Sequence, residues 1–205
     1  MSGDVKRRPY RSARRREQAL DTRARILEAA AAVFCARGYQ RASIAAIAAE
    51  AGVAEETVYS HFGNKRALLG EVVQHAPRGP DARPVPQQEG PRLIAEQADP
   101  RVQLRLFAED VSARLERAAP LVAVVTAGAA GEPELAELLR RLHEDRRKNL
   151  ATFVAALRVE APRDALDTVW ALASPELYLL LTARRGWSRR RYAAWLEQSL
   201  AKLLL

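Results

Sequence analysis

The groups in this sequence with the chemistry for catalysis or metal binding are three histidines, one cysteine and twenty-five carboxylates. His61, His75 and His143 do not fall at metal-ligand spacings, and "HEDRR" from residue 143 is not HExxH. No glycine-rich phosphate loop and no nucleophile elbow occurs, and no carboxylates are placed together by the pattern. The expectation is a protein that is not an enzyme and holds no metal and no cofactor. Cys35 is the single cysteine, so an intramolecular disulfide is impossible; its place on an apolar helix suggests a small buried hydrophobe. A different chemistry gathers in "AGVAEETVYSHF", residues 51–62. Val58 and Phe62, four apart, would bury together and leave Glu55, Glu56, Thr57, Tyr59, Ser60 and His61 largely outward. Such a set of donors and acceptors recognises rather than reacts.

These side chains need short helices to hold them. "TRARILEAAAAVFCARGY" places Ile26, Ala30, Val33 and Phe34 at helical spacing, which predicts a first helix over 21–37 with Gly38 as a left-handed cap. Ser43 is an N-cap for a second helix over 43–50, with Ile44, Ile47, Ala48 and Ala51 on one face and Gly52 turning the chain. The third helix carries the polar set, Gly63 ends it, and Asn64 caps a fourth through Leu68, Leu69, Val72 and Val73. Two short helices joined by a turn and braced by a preceding helix match a helix-turn-helix, in which the second helix enters the DNA major groove.

Charge agrees with a nucleic-acid partner, but only by its placement. The net charge is +8 from four lysines and twenty-nine arginines, and an arginine excess of this kind can reflect base composition alone. Residues 1–16 hold seven basic groups against Asp4, a balance of +6, whereas residues 17–75 sum to −1. The positive charge is therefore read as a basic, flexible arm over 1–16. Arg11, Arg14, Arg15 and Arg16 either track the phosphate backbone or enter the minor groove; the alternative is a solubilising tail.

The stretch "TRARILEAAAAVFCARGYQRASIAAIAAEAGVAEETVYSHFGNKRALLGEVV", residues 22–73, resembles the DNA-binding domain of the tetracycline-repressor (TetR) family of bacterial transcription regulators. The features are the Thr22–Leu27 opening, the Phe34–Tyr39 end of the first helix, "IAAIAAEAGV", "TVYSHF" and "NKRALL". They cover about a quarter of the chain. The resemblance implies a homodimer on a palindromic, double-stranded operator, with C-terminal domains that dimerise and enclose a small-molecule effector. It also implies that Ser43, Tyr59, His61 and Lys65 touch phosphates or bases, with Thr57 and Ser60 on the same face. Phosphate contacts would position the domain and base-edge contacts specify the sequence. The chain departs from the family at Ala54, more often Ser, and at Glu56, more often Gly. Ala54 cannot cap, a loss of about 1 kcal/mol. Glu55 and Glu56 either offset this through the helix dipole or read cytosine N4.

From Pro77 to Pro91 the sequence holds five prolines and two glycines and is read, over 76–91, as a linker or loop between a DNA-binding domain (17–75) and a second domain (92–205). Beyond it the pattern is helical over 100–118, through "PLVAVVTAGAA", then over 133–158, 163–184 and 188–204. The fold class is all-α: a three-helix, helix-turn-helix domain plus a helical effector-binding and dimerisation bundle. The last two helices carry Leu177, Leu181, Trp195, Leu196, Leu200 and Leu203, the expected dimer face; burial inside one protomer is the alternative. A pocket is expected among Phe107, Val111, Leu121, Val125 and Leu142, continuing to Phe153, Trp170, Ser174 and Tyr178, with Pro175 kinking the chain beside it. Arg146 interrupts the apolar stripe Leu135, Leu139, Leu142, Leu150, Phe153 and Leu157. A buried arginine needs a partner, which leaves an internal carboxylate, solvent or an acidic ligand.

No apolar run reaches the roughly 18 residues of a membrane span, and no apolar segment follows the arginine-rich start. A cytoplasmic protein, nucleoid-associated when bound, is expected. Function then divides between a repressor released from its operator by a ligand and an effector-independent, architectural DNA binder.

Overall fold

The computed structural model describes the backbone of residues 7–81, 83–160 and 162–205, with side chains from residue 18 onward. Every regular element among them is a helix, as the sequence pattern predicts. The chain forms two compact units that divide between Val72 and Val73.

The first unit holds helices α1 (Arg7–Arg41), α2 (Ile44–Ala51) and α3 (Glu55–Phe62), and most of α4 (Lys65–His75). Helix α1 is longer than expected: it begins at Arg7 and so takes up much of the stretch read as a flexible arm. Alanine, arginine, glutamate and glutamine fill residues 13–19 with no glycine or β-branched residue among them, and such residues favour helix. The side chains of Arg11, Arg14, Arg15 and Arg16 lie outside the described residues. Gly38 has the positive φ expected of it (70°), but its ψ of 171° is extended, and one more turn follows. Ile26, Ala30, Phe34, Ile47, Val58, Leu68 and Leu69 are fully buried. Each large member contributes roughly 1.5–3 kcal/mol by leaving water. Cys35, expected inside, is exposed, because it lies one residue beyond the stripe that ends in Val33 and Phe34.

The second unit is a helical bundle around α6 (Pro100–Ala129). It packs α6 against α5 (Glu89–Glu96), α7 (Pro133–Ala156), α9 (Pro175–Leu179) and α10 (Arg189–Leu204), with α8 (Ala165–Leu172) beside α7 and α10. The expected break after residue 118 does not occur. Pro120 sits within α6 and removes one ladder bond, but Glu116, whose carbonyl loses its donor, is exposed to water. The helix expected over 163–184 is divided instead. Ser174 caps α9, its Oγ accepting from the Leu177 amide at 3.1 Å, with Pro175 in the first turn, and a π-helical turn at Leu180–Arg184 follows.

Of the two forms read for the proline-rich stretch, linker or loop, it takes the loop: two 3₁₀ turns, Ala76–Arg78 and Val85–Gln87, lead into α5, and the buried Gln88 fastens them within the second unit. The Gln88 amide donates to the carbonyls of Arg78, Asp81 and Arg83 at 3.0–3.1 Å. Its Oε1 accepts from Arg114 at 2.8 Å, and Arg114 also donates to the Pro77 carbonyl. Proline and glycine supply the bends, and one glutamine satisfies the carbonyls that no helix pairs. Gln103, fully buried on α6, does the same for the ends of α5 and α7. It donates to the carbonyls of Ile94 and Ala156 and accepts from the amide of Arg158.

Candidate nucleic-acid interface and ligand cavity

The turn between α2 and α3 is fixed from three sides. Ser43 Oγ accepts from the Ala46 amide at 3.1 Å, so its hydroxyl starts α2. Gly52 closes α2 at φ 64° and ψ 41°, a conformation that costs a side chain about 1 kcal/mol and costs glycine nothing. Arg25 reaches across from α1 to donate to the Ala51 and Gly52 carbonyls, which satisfies the helix end. Arg23 pairs with Glu71 and lies 4.9 Å from the Phe62 ring centroid, joining α1, α3 and α4. Sequence reasoning missed both arginines. Their signal was two cations, two residues apart, beside an apolar stripe that had no obvious use for them.

On this frame α3 presents its polar face. Glu55, Glu56, Tyr59 and Ser60 are exposed, Tyr59 at 50%; Thr57 and His61 are half-buried, the His61 ring 6.0 Å from that of Phe62. Ser60 Oγ donates to the Thr57 carbonyl at 2.9 Å. Ala54 makes no side-chain cap, so the two glutamates stand in the first turn over amides that no capping side chain satisfies. Asn64 Oδ1 accepts from the Ala67 amide at 2.9 Å and starts α4. Lys65 is engaged inside the unit. Its ammonium donates to the carbonyls of Tyr39 and Ala42 at 2.9 and 3.0 Å and lies over the Tyr39 ring.

Within the second unit a cavity of about 650 Å³ opens among α5, α6, α7 and the turns after α4. That volume suits a small organic ligand. Of the expected wall residues, Phe107, Val111, Leu142, Arg146 and Phe153 line it, and the Phe107 and Phe153 rings stack at 3.8 Å. Leu121, Val125, Trp170, Ser174 and Tyr178 do not. Leu121 and Val125 are buried in the packed interior of the bundle, and Tyr178 packs edge-on against Tyr192 at 4.9 Å. Ser174 commits its hydroxyl to the α9 cap, and Trp170 lies beneath Arg146. The wall made by Val73, Pro77, Val85 and Ile94 was not foreseen, because a segment rich in proline reads as a linker.

Arg146 pairs with no internal carboxylate among the described residues. Both of its terminal nitrogens donate to one acceptor, the Trp170 carbonyl, and its guanidinium lies 4.7 Å from the Trp170 ring centroid. Its Nε is buried without an acceptor among the described residues, as is the Trp170 indole N–H. Burial, partly offset by the charge of Glu176, pushes the guanidinium down to about 10, so it remains a cation at neutral pH.

The expected dimer face needs correction at two positions. Leu196 and Leu200 are fully buried inside the protomer, where α10 meets α6, and cannot present themselves to a second chain. Leu177, Leu181 and Trp195 are half-buried, and Leu203 is 54% exposed. Leu180 and Leu205, which the pattern did not single out, are 53% and 46% exposed.

A braced helix-turn-helix joined to a helical unit that encloses a ligand-sized cavity defines a class: one-component DNA-binding transcription regulators. Residues 26–72 match the family described as "Bacterial regulatory proteins, tetR family". The chain is 30% identical over 172 residues to the HTH-type transcriptional repressor BepR of Brucella suis, covering 82% of this chain and 79% of that one. It is 46% identical over 56 residues to the HTH-type transcriptional regulator TtgR of Pseudomonas putida, 27% of each chain. A putative TetR-family transcriptional regulator from Mesorhizobium loti shares the fold, with a TM-score of 0.70 at 22% identity over 90% of this chain and 96% of that one. The chain belongs to the tetR family of bacterial regulatory proteins and is a DNA-binding transcription regulator.

Proposed function

We propose that the protein is a homodimeric repressor that holds a palindromic operator and leaves it when a small molecule fills the cavity of the second unit. The observation that carries this is the cavity itself, whose wall includes Val73 and Gln74 at the end of α4 and Pro77 just beyond. Helix α4 is the covalent connection between the units, and Arg114 and Arg117 hold its outlet by donating to the carbonyls of Ala76 and Pro77. A ligand that favours one position of this wall changes operator affinity by its own difference in affinity for the two states.

Repression is supported by the relative named as a repressor across four-fifths of this chain. Dimerisation is supported by the exposed leucines at 180, 203 and 205, with the half-buried Leu177, Leu181 and Trp195 near them in sequence. On DNA, α3 faces the major groove through Tyr59, Ser60, Thr57 and His61. Ser43 and the basic residues before 17 meet phosphates, and the protein acts in the cytoplasm. A thermal-shift screen of small molecules, followed by operator release with those that stabilise, tests the reading. At least one compound should raise the melting temperature and release DNA; no stabilisation by any compound identifies an effector-independent DNA binder instead.

A further inference from the structure

We infer that the effector is an apolar carboxylic acid, its head group held by Arg146 and Asn149 and its body lying against Phe107, Phe153 and Val111. The inference deepens the ligand-gated reading above and rests on it.

Leu142, Arg146, Asn149 and Phe153 follow one another at spacings of four, three and four along α7, and all four line the cavity. A guanidinium has five N–H donors and no acceptor capacity. Here its two terminal nitrogens share a single carbonyl, and among the described residues neither Nε nor the adjoining Trp170 indole N–H has a partner. Donors therefore outnumber acceptors around the Arg146 guanidinium, immediately behind the wall that its side chain helps to line. No carboxylate lies within ion-pair distance of Arg146 among the described residues, and the more distant charge of Glu176 offsets its burial only in part.

The wall as a whole repeats the imbalance. It holds five basic residues against two acidic ones, a surplus of +3 that Glu96, just outside the wall and 3.6 Å from Arg92, reduces. Arg114 is bound to Asp110 at 2.6 Å and Lys148 to Asp145 at 3.5 Å, which accounts for both wall carboxylates. The surplus thus includes Arg146. A carboxylate supplies acceptor oxygens and a negative charge together, and arginine matches its planar geometry better than lysine does. Asn149, one turn along, offers amide N–H groups to the same head. An ammonium ligand would meet like charge, and a neutral one would leave the donor excess uncorrected. Beyond the head group the stacked Phe107 and Phe153 rings with Val111 form an apolar wall.

Isothermal titration of the full-length protein with decanoate, 1-decanol and decylamine below their aggregation limits decides the matter. Decanoate should bind at least tenfold tighter than 1-decanol, and decylamine weakest. Arg146→Gln should abolish the preference by weakening decanoate at least tenfold more than 1-decanol, and Arg146→Lys should keep most of it. Should Arg146→Gln fail to fold, the wild-type order still decides, together with Asn149→Ala, which should weaken decanoate severalfold and spare 1-decanol. If 1-decanol binds as tightly as decanoate, or tighter, the cavity reading stands and the acid is overturned. If none of the three binds, the cavity reading falls and takes the acid with it.

Discussion

Lys65 donates to the backbone carbonyl of Tyr39 at 2.9 Å while its ammonium lies 4.4 Å from the centroid of the Tyr39 ring. With the bond to Ala42, one cation closes the end of α1 and fixes the start of α4 against it. Hydrogen bonds to a charged group contribute about 1.5–3 kcal/mol. Lys65→Met should therefore lower the stability of the first unfolding transition in urea by roughly 1–3 kcal/mol. A lysine that met only phosphate would instead leave stability unchanged and lower the salt slope of DNA binding by about 0.9.

Ala54 leaves α3 without a side-chain cap, and Glu55 and Glu56 stand in its first turn. Ala54→Ser should stabilise the protein by about 0.5–2 kcal/mol in thermal unfolding. Glu55→Gln and Glu56→Gln should each cost about 0.3–1 kcal/mol, an effect that shrinks with added salt. If the glutamates act on the helix dipole, operator selection with Glu56→Gly should return the same bases at every position. A changed base would assign Glu56 to direct readout.

Gln103 is fully buried and joins Ile94, Ala156 and the Arg158 amide through one side chain. Gln103→Leu fills the same space but strands the Ala156 carbonyl and the Arg158 amide, while the Ile94 carbonyl keeps the Gln97 amide. Each such group left without a partner costs about 1–3 kcal/mol. The melting temperature should fall by several degrees, and more than for Leu20→Ala at a helix position that is 69% exposed.

Residues 1–16 carry a balance of +6 while 17–75 carry −1, so the phosphates have little else nearby to meet. Deleting 1–16 should flatten the plot of log affinity against log salt by about 0.9 for every phosphate that is no longer neutralised. An unchanged slope would make the segment a solubilising tail.

The helix-turn-helix was legible because local signals agreed: Ser43 as a cap, Gly52 as a turn, and Val58 with Phe62 as a buried pair all hold in the structure. What escaped the pattern depends on groups distant in sequence. Arg25 closing α2 and Gln88 tying down a proline-rich stretch are single side chains whose partners lie elsewhere, and periodicity carries no trace of them. The same holds at the cavity. Arg146 stood out as a cation in an apolar stripe, yet its partner, the Trp170 carbonyl, is a backbone atom that any residue would supply. Leu196 and Leu200 failed as interface residues because leucine serves a core and a surface for a second chain equally well, and composition does not say which is which.

A two-fold symmetric pair of α3 helices reading one operator is what the rest depends on. Selection of duplexes from a random-sequence library with the full-length protein, followed by sequencing, puts it to the test. An enriched palindrome should emerge, with half-sites centred about one helical turn apart, roughly 10 base pairs or 34–36 Å. Enrichment of no symmetric motif, or binding indifferent to sequence, would contradict it.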